Sequence, residues 1–221
     1  MPTSRYERAA RLAGFQVIAG VDEAGRGSLF GPVFAAAVVL DPARPIRGLD
    51  DSKALDPERR EVLAGRIRER ALHWAVGAAD VFEIDRINIY QASLVAMKRA
   101  LAKLSVACDY LLLDAVALDL DVMQKPLIHG DARSFSIAAA SILAKTGRDE
   151  ALRAWDEVFP EYGLASNKGY STPDHVAALE RVGPTAMHRF SFEPVRAASR
   201  YRAWTGYPEA MPAQRELFAC P

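Results

Sequence analysis

Phe15-Gln-Val-Ile-Ala-Gly-Val-Asp22-Glu23-Ala-Gly25-Arg-Gly-Ser-Leu-Phe-Gly31-Pro-Val33-Phe-Ala-Ala-Ala-Val-Val-Leu40 decides the reading of the fold. It holds two apolar runs, Phe15 to Val21 and Val33 to Leu40, rich in Val and Ala and bounded by Gly and Pro, which is the pattern of strands. The connection Gly25 to Gly31 is short, so the runs are expected to pair as an antiparallel hairpin. Asp22 and Glu23 directly follow the first run. Adjacent carboxylates at a strand end repel one another and are costly to desolvate, so something positive must compensate them. Gly25, Gly27 and Gly31 superficially match a dinucleotide-binding loop, but that motif leads from strand to helix, and here Pro32 and a β-type run follow. Nucleotide-cofactor binding is therefore rejected. The glycines instead let backbone N–H groups approach a phosphate or sugar closely, although taken alone they would read as a plain hairpin loop.

Outward from this hairpin, Asp41 to Gly48 is a loop by its prolines and glycine. Asp56 to Arg70 reads as a helix with Asp56 as cap, Pro57 in the first turn and Val62, Leu63 and Ile67 on one face. Leu72 to Ala79 is a third strand. Ile87, Tyr90, Leu94, Met97, Leu101 and Leu104 alternate steps of three and four, the clearest helical pattern in the chain. Tyr110 to Leu113 is an apolar run ending at Asp114, as for a buried central strand, and Lys125 to His129 is a further strand candidate. Helices are expected over Ser136 to Val158, whose Ala- and Ser-rich first half permits close approach to a sheet, over Asp174 to Arg181, and over Val195 to Tyr201. Strands first, then helices alternating with strands, predict an α/β protein with a mixed sheet flanked by helices.

Composition bounds the function. The 221 residues amount to about one and a half times a usual domain, favouring one domain with an appendage. Lys and Arg total 28 against 28 Asp and Glu, so the molecule does not bind phosphate by bulk attraction, and any nucleic-acid site is local. Cys108 and Cys220 are too few for a disulfide framework. The charged start, Met1 to Arg8, lacks the apolar run of a secretory signal, and no run spans a bilayer, so a cytoplasmic protein without membrane insertion is expected.

Four acids stand at element ends. Asp114 closes a strand as Asp22 and Glu23 do, and Asp131 follows Gly130 where a loop gives way to a helix. Such a set suits an oxygen-loving cation like Mg²⁺, and no Cys/His group with zinc spacing competes; His73, His129, His175 and His188 share no ligand spacing. Asp41, Asp50 and Asp51 read as ordinary caps or surface charges. Parallel pairing of the Asp22 and Asp114 strands would bring their carboxyl ends together, where ligand sites of α/β sheets lie.

Gly20-Val-Asp22-Glu23-Ala-Gly25-Arg26-Gly27 with Gly31-Pro32, Asp51-Ser52-Lys53, Leu112-Leu-Asp114, Gly130-Asp131, Ala138 to Lys145, Lys168-Gly-Tyr170 and Ser191-Phe-Glu-Pro-Val195 together resemble bacterial ribonuclease HII, in order from about Phe15 to Val195. The resemblance implies a ribonuclease H-like fold and hydrolysis of the RNA strand of RNA–DNA hybrids, including nicking 5′ of a single ribonucleotide in duplex DNA, with 3′-hydroxyl and 5′-phosphate products. Asp22, Glu23, Asp114 and Asp131 fall on the family's metal-binding acids, which implies Mg²⁺ or Mn²⁺ in a two-metal scheme with ions about 3.5–4 Å apart. Gly25, Arg26, Gly27 and Tyr170 fall on the family's readers of the ribonucleotide, whose mark is its 2′-hydroxyl. Lys53 and Lys168 are expected to contact phosphates on the same resemblance, although lone lysines otherwise read as solvated. Three positions depart from the common pattern: Ala115 where many relatives have Gly, His129 where Lys is frequent, and Asn167 where His is frequent. Neutral His129 lacks the fixed charge of Lys. Asp149 reads as structural.

The expected division is a catalytic domain over 1–190 and a C-terminal helical segment and tail over 191–221. Arg196, Arg200 and Arg202 recur with helical spacing to help hold the duplex, with a shallow salt dependence because few phosphates are neutralised. Gln214, Leu217 and Phe218 resemble the short peptide by which bacterial replication and repair proteins dock on the sliding clamp, although a tail packed on its own domain outweighs so brief a match. A monomer is expected. The competing readings are a receiver-like phosphate switch, which needs a parallel sheet throughout, and the sister ribonuclease HIII, which carries an extra N-terminal domain, where here only fourteen residues precede Phe15.

Overall fold

In the computed structural model, which describes residues 2–201, β1 (Ile18–Ala24) and β2 (Val33–Val39) form the expected antiparallel hairpin, with Gly20 opposite Val38 and Ala24 opposite Phe34. β3 (His73–Ala79) extends the sheet beyond β2, antiparallel to it. On the other side β4 (Tyr110–Asp114) runs parallel to β1, and β5 (Met123–Leu127) parallel to β4, giving the order β3-β2-β1-β4-β5. This mixed sheet excludes the all-parallel arrangement of a receiver-like switch.

Helices cover both faces. α3 (Val81–Ala102) packs Ile84, Ala96, Met97 and Ala100 against Ala19, Val21, Ala35 and Ala37. α2 (Pro57–Arg70) and α4 (Phe135–Val158) pack Leu63, Ile67, Ala139 and Leu143 against Ala36 and Val38 on the opposite face. β2 is thus covered on both sides, which is why its run is apolar throughout instead of alternating. Gly20 is what lets α4 approach β1: a Cβ there would lie 2.1 Å from the Ser136 carbonyl carbon and 2.5 Å from the Ile137 nitrogen. The Ala and Ser residues that open α4 serve the same close packing.

Four features differ from the sequence reading. β1 continues through Asp22 and Glu23, so the acids lie within the strand, on alternate faces, rather than after it. The charged N-terminal segment, read from sequence only for its lack of a long apolar run, forms the short amphipathic α1 (Arg5–Leu12). It is held by tertiary contact: Glu7 is buried and accepts from the Ser134 hydroxyl at 2.6 Å and the Ser136 N–H at 2.8 Å, at the start of α4. α3 begins earlier than its clear periodicity, with an Asp80–Glu83 capping box, and breaks at Asn88, whose φ of 66° is left-handed. Beyond α4, a 3-10 turn (Pro160–Tyr162) and the short α5 (Leu164–Asn167) lead to α6 (Pro173–Val182).

α7 (Glu193–Tyr201) follows, with Val195 and Ala198 buried in one cluster with Leu29, Phe30, Leu152, Tyr162 and Leu179. Arg196 pairs with Glu193 within the helix. The Arg200 side chain and residues Arg202, Gln214, Leu217, Phe218 and Cys220 lie outside the described residues. Among the described residues no helix is long and apolar enough to cross a membrane.

Candidate active site

The parallel register of β1 and β4 pairs Val21 with Leu113, so the next step brings Asp22 beside Asp114 at the strands' carboxyl ends. Asp114 Oδ1 accepts the Gly130 N–H at 2.7 Å and thereby ties down the loop that carries Asp131. That loop is closed by the Arg133 and Ser134 N–H groups donating to the Gly130 carbonyl, and Ser134 caps α4. Carboxylate oxygens of Asp22, Asp114 and Asp131 consequently lie within 4.8 Å of one another. Ala115, just past β4, has φ 53°, a left-handed backbone that a glycine adopts without strain and that costs this alanine on the order of 1 kcal/mol.

Three like charges in a partly buried site oppose ionisation. Burial, then the charges of Glu23 and Asp114, hold the Asp22 carboxyl well above the usual aspartate range. Asp131 is raised by burial and by Asp51 and Asp114, and Glu23 by burial against the pull of Arg26. The donors are all hard oxygens, so the set fits a divalent cation such as Mg²⁺ or Mn²⁺, whose charge would relieve the repulsion. Glu23 stands at the margin: Oε1 pairs with Arg26 at 3.2 Å, while buried Oε2 has no hydrogen-bond partner among the described residues.

This electrostatic frustration has a measurable consequence. With chelator present, Asp22→Asn should melt at a higher temperature than wild type at pH 7. A carboxyl whose folded pKa lies above its unfolded value of about 3.9 contributes fully to stability below that value, and the contribution fades as pH rises through the raised folded pKa. The advantage of the variant should therefore widen from acid to neutral pH in melting curves; a gap independent of pH contradicts it.

Of the other predicted residues, Lys53 and Arg26 are tied directly to the acids, by charge and by contact with Glu23. Lys53 feels Asp51, Asp131, Asp22 and Asp114, whose charges together outweigh burial and raise its pKa. Asp51, read from sequence as a surface charge, therefore belongs to the electrostatic surroundings of the site. Gly25 has φ 94°, and a Cβ on it would lie 2.1 Å from Arg148 Nε, so the loop rests directly on that guanidinium. A Cβ on Gly27 would lie 3.9 Å from Tyr170 Cε1, which puts loop and ring side by side. Tyr170 is 37% exposed, with the Lys145 and Arg148 cations 5.9 and 5.4 Å from its ring. Arg26 is exposed and reaches Glu23. Lys168 lies in left-handed backbone, φ 54°, and its ammonium donates to the Ala165 carbonyl at 2.5 Å, so here it is anchored to its own turn.

Sequence reasoning missed the supports. Arg148 is buried and donates to Ser28 Oγ at 2.6 Å and the Lys168 carbonyl at 2.9 Å. Arg189, also buried, donates to the Gly31 carbonyl and the Arg26 carbonyl, both at 2.9 Å. Turning the Arg26 carbonyl inward leaves the Gly27 N–H of the same planar peptide for the outer side of the loop. Asp149 is structural as expected, receiving Lys145 at 2.7 Å and Arg60 at 3.5 Å. The only signal for Arg148 and Arg189 was an arginine in an apolar or motif context, which does not separate a buried support from a surface charge.

The family model described as Ribonuclease HII matches residues 19–195. The Ribonuclease HII of Solibacter usitatus (strain Ellin6076) is 65% identical over 195 residues, covering 88% of this chain and 86% of that protein. Among solved structures, ribonuclease H2 from Pyrococcus horikoshii OT3 superposes with a TM-score of 0.72 at 25% identity, over 84% of this chain and 98% of that one. The Mn²⁺ complex of Bst-RNase HIII has a similar fold, with a TM-score of 0.65 at 20% identity over 87% of this chain and 72% of that one.

Proposed function

The chain belongs to the ribonuclease HII family and is an endoribonuclease acting on RNA–DNA hybrids, and from that premise we propose that Asp22, Asp114 and Asp131, with Glu23 as fourth acid, form its metal-binding catalytic centre. The convergence of carboxylate oxygens within 4.8 Å at the ends of two neighbouring strands carries this reading. Divalent cations held there, Mg²⁺ or Mn²⁺, would supply an activated water and charge stabilisation for attack at phosphorus, leaving 3′-hydroxyl and 5′-phosphate ends.

The chain's own residues provide position and discrimination. The three acids fix the reacting phosphate relative to the strand ends, and Lys53, held cationic by its acidic neighbours, offers a contact to an adjacent phosphate. The Gly25-Arg26-Gly27 loop, its Arg26 carbonyl held from beneath by Arg189, directs the Gly27 N–H to the sugar-phosphate edge. Tyr170 stands beside that loop with its hydroxyl as a partner for the ribose 2′-hydroxyl, the group that separates RNA from DNA. Lys168 adds a phosphate contact once its ammonium leaves the Ala165 carbonyl. On this reading the enzyme nicks duplex DNA on the 5′ side of a single embedded ribonucleotide, an activity that suits ribonucleotide excision repair in the cytoplasm. Residues 1–190 carry the chemistry, and 191–221 form the appended segment. For Gln214, Leu217 and Phe218 the sliding-clamp peptide stays the second reading behind a tail packed on its own domain, and removing 214–221 separates the two: lost clamp binding with cleavage intact supports the peptide, and unchanged clamp affinity ends it.

The deciding assay uses a labelled DNA duplex with one ribonucleotide, incubated with Mg²⁺, Mn²⁺ or chelator beside an all-DNA duplex. Metal-dependent nicking 5′ of the ribonucleotide is expected, with the all-DNA duplex uncut. Cutting confined to continuous hybrids would remove the Tyr170 and loop reading. No cleavage with either cation would remove the catalytic assignment.

A further inference from the structure

The strand-and-loop body carries two buried histidines that the chemistry above does not use. His175, on α6, and His188, 13 positions later in the loop beyond it, have their Nε2 atoms 3.1 Å apart in a buried pocket. One of these nitrogens must donate and the other accept, and the surrounding bonds settle which. Two Thr185 groups reach His188 Nδ1 at 3.0 Å: the hydroxyl, which can donate or accept, and the backbone N–H, which can only donate and so decides the matter. His188 Nδ1 is therefore bare, and a neutral His188 carries its proton on Nε2, where it donates to His175 Nε2. The His175 proton then sits on Nδ1, 3.0 Å from the Tyr170 carbonyl, which accepts it. Burial, with the neighbouring His175, holds His188 down at about 3, and burial lowers His175 also, so both rings are neutral at pH 7.

We propose that His175 and His188 are positioning residues for Tyr170, through a one-way chain of hydrogen bonds running from the Thr185 N–H across both imidazoles to the Tyr170 carbonyl. All four ring nitrogens are used and only one arrangement of the two protons satisfies them, which is what makes a buried network rigid. The same pocket is sewn to the Gly25-Arg26-Gly27 side of the site. The Gly31 N–H donates to the Met187 carbonyl at 2.9 Å and the Arg189 N–H to the Leu29 carbonyl at 2.9 Å, flanking His188. The Phe30 ring meets His188 edge-on at 4.9 Å. Tyr170 is the other end: the Gly169 carbonyl receives the Leu29 N–H at 2.7 Å and Ser28 Oγ at 3.0 Å. The histidine pair thus sets the spacing between the loop and the Tyr170 ring, which on the reading above clasp the ribonucleotide, and the inference rests on that reading.

Long-range ¹H–¹⁵N spectra of the wild-type protein should show His188 protonated at Nε2 alone and His175 at Nδ1 alone. The opposite tautomers, or a cationic ring at neutral pH, overturn the proposal, and this measurement needs no variant to fold. His175→Phe keeps the ring and loses the chain; it should raise KM for a duplex with one ribonucleotide about tenfold, the worth of one lost hydrogen bond, with a smaller change in kcat and on continuous hybrids. His175→Asn, whose amide can still donate to the Tyr170 carbonyl, should recover most of that loss. A folded His175→Phe with wild-type KM overturns the positioning role. Tyr170→Ala measured alongside separates the claims. If it loses ribonucleotide discrimination while His175→Phe keeps it, positioning is wrong and the Tyr170 reading stands; if Tyr170→Ala keeps discrimination, the Tyr170 reading itself is overturned and the positioning role with it.

Discussion

Asp114→Asn should reduce cleavage by about a thousandfold or more, equivalent to about 4 kcal/mol of transition-state stabilisation, while the protein stays folded and at least as stable as wild type. The two halves of this result have one origin. Asp114 contributes a negative charge where cations and a developing charge on phosphate must be balanced, and an amide of nearly the same shape removes it. The amide oxygen can still accept the Gly130 N–H, now 2.7 Å from Asp114 Oδ1, so the loop bearing Asp131 keeps its anchor. The charge is also one of the influences that raise the Asp22 and Asp131 carboxyls, so its removal relieves repulsion in the cation-free protein. Single-turnover cleavage and thermal melting, both with purified variant, read the two halves. Activity within tenfold of wild type would exclude Asp114 from the centre; a melting temperature lowered by many degrees would mean its role is structural.

Gly20→Ala should be the most damaging single methyl group in the sheet, destabilising by about 3 kcal/mol or more. The added carbon would meet the Ser136 carbonyl carbon at 2.1 Å and its oxygen at 2.3 Å. These are backbone atoms at the start of a helix, so no rotamer change relieves the clash; α4 as a whole must move away from β1. That helix carries Ser141, whose hydroxyl lies 2.9 Å from Ser52 Oγ and favours the ionised Asp22 carboxyl, and its N-terminus is joined to the Asp131 loop. Loss of stability and loss of cation affinity should therefore appear together. Urea unfolding checks the first, and a wild-type midpoint would mean the α4–β1 contact is looser than described.

The hairpin, the parallel partner of β1 and the two-sided burial of the sheet were legible because each rests on local chemistry. Gly and Pro punctuated strands whose apolar runs matched burial on both faces, and Asp114 closed one of them. The acids were legible for a related reason, since carboxylates at the ends of apolar strands have no cheap structural explanation. What escaped was set by tertiary contact. α1 exists because Glu7 satisfies donors at the start of α4, more than 120 positions away. The break at Asn88 is hidden by a periodicity that continues beyond it, and Asn88 Oδ1 recaps the following turn through the Gln91 N–H. Arg148 and Arg189 read as ordinary charged residues, because burial beneath a loop leaves no local mark. The histidines share no ligand spacing along the chain, and spacing could not reveal that His175 and His188 touch.

The most direct test of the metal-centre assignment is Mn²⁺ titration followed by electron paramagnetic resonance, on wild type and on Asp22→Asn, Asp114→Asn and Asp131→Asn. The convergence of these carboxylates predicts that wild type binds Mn²⁺ and that each variant binds it at least about tenfold more weakly, as expected when one charged ligand of a shared site is lost. Undiminished Mn²⁺ affinity in all three variants would contradict it.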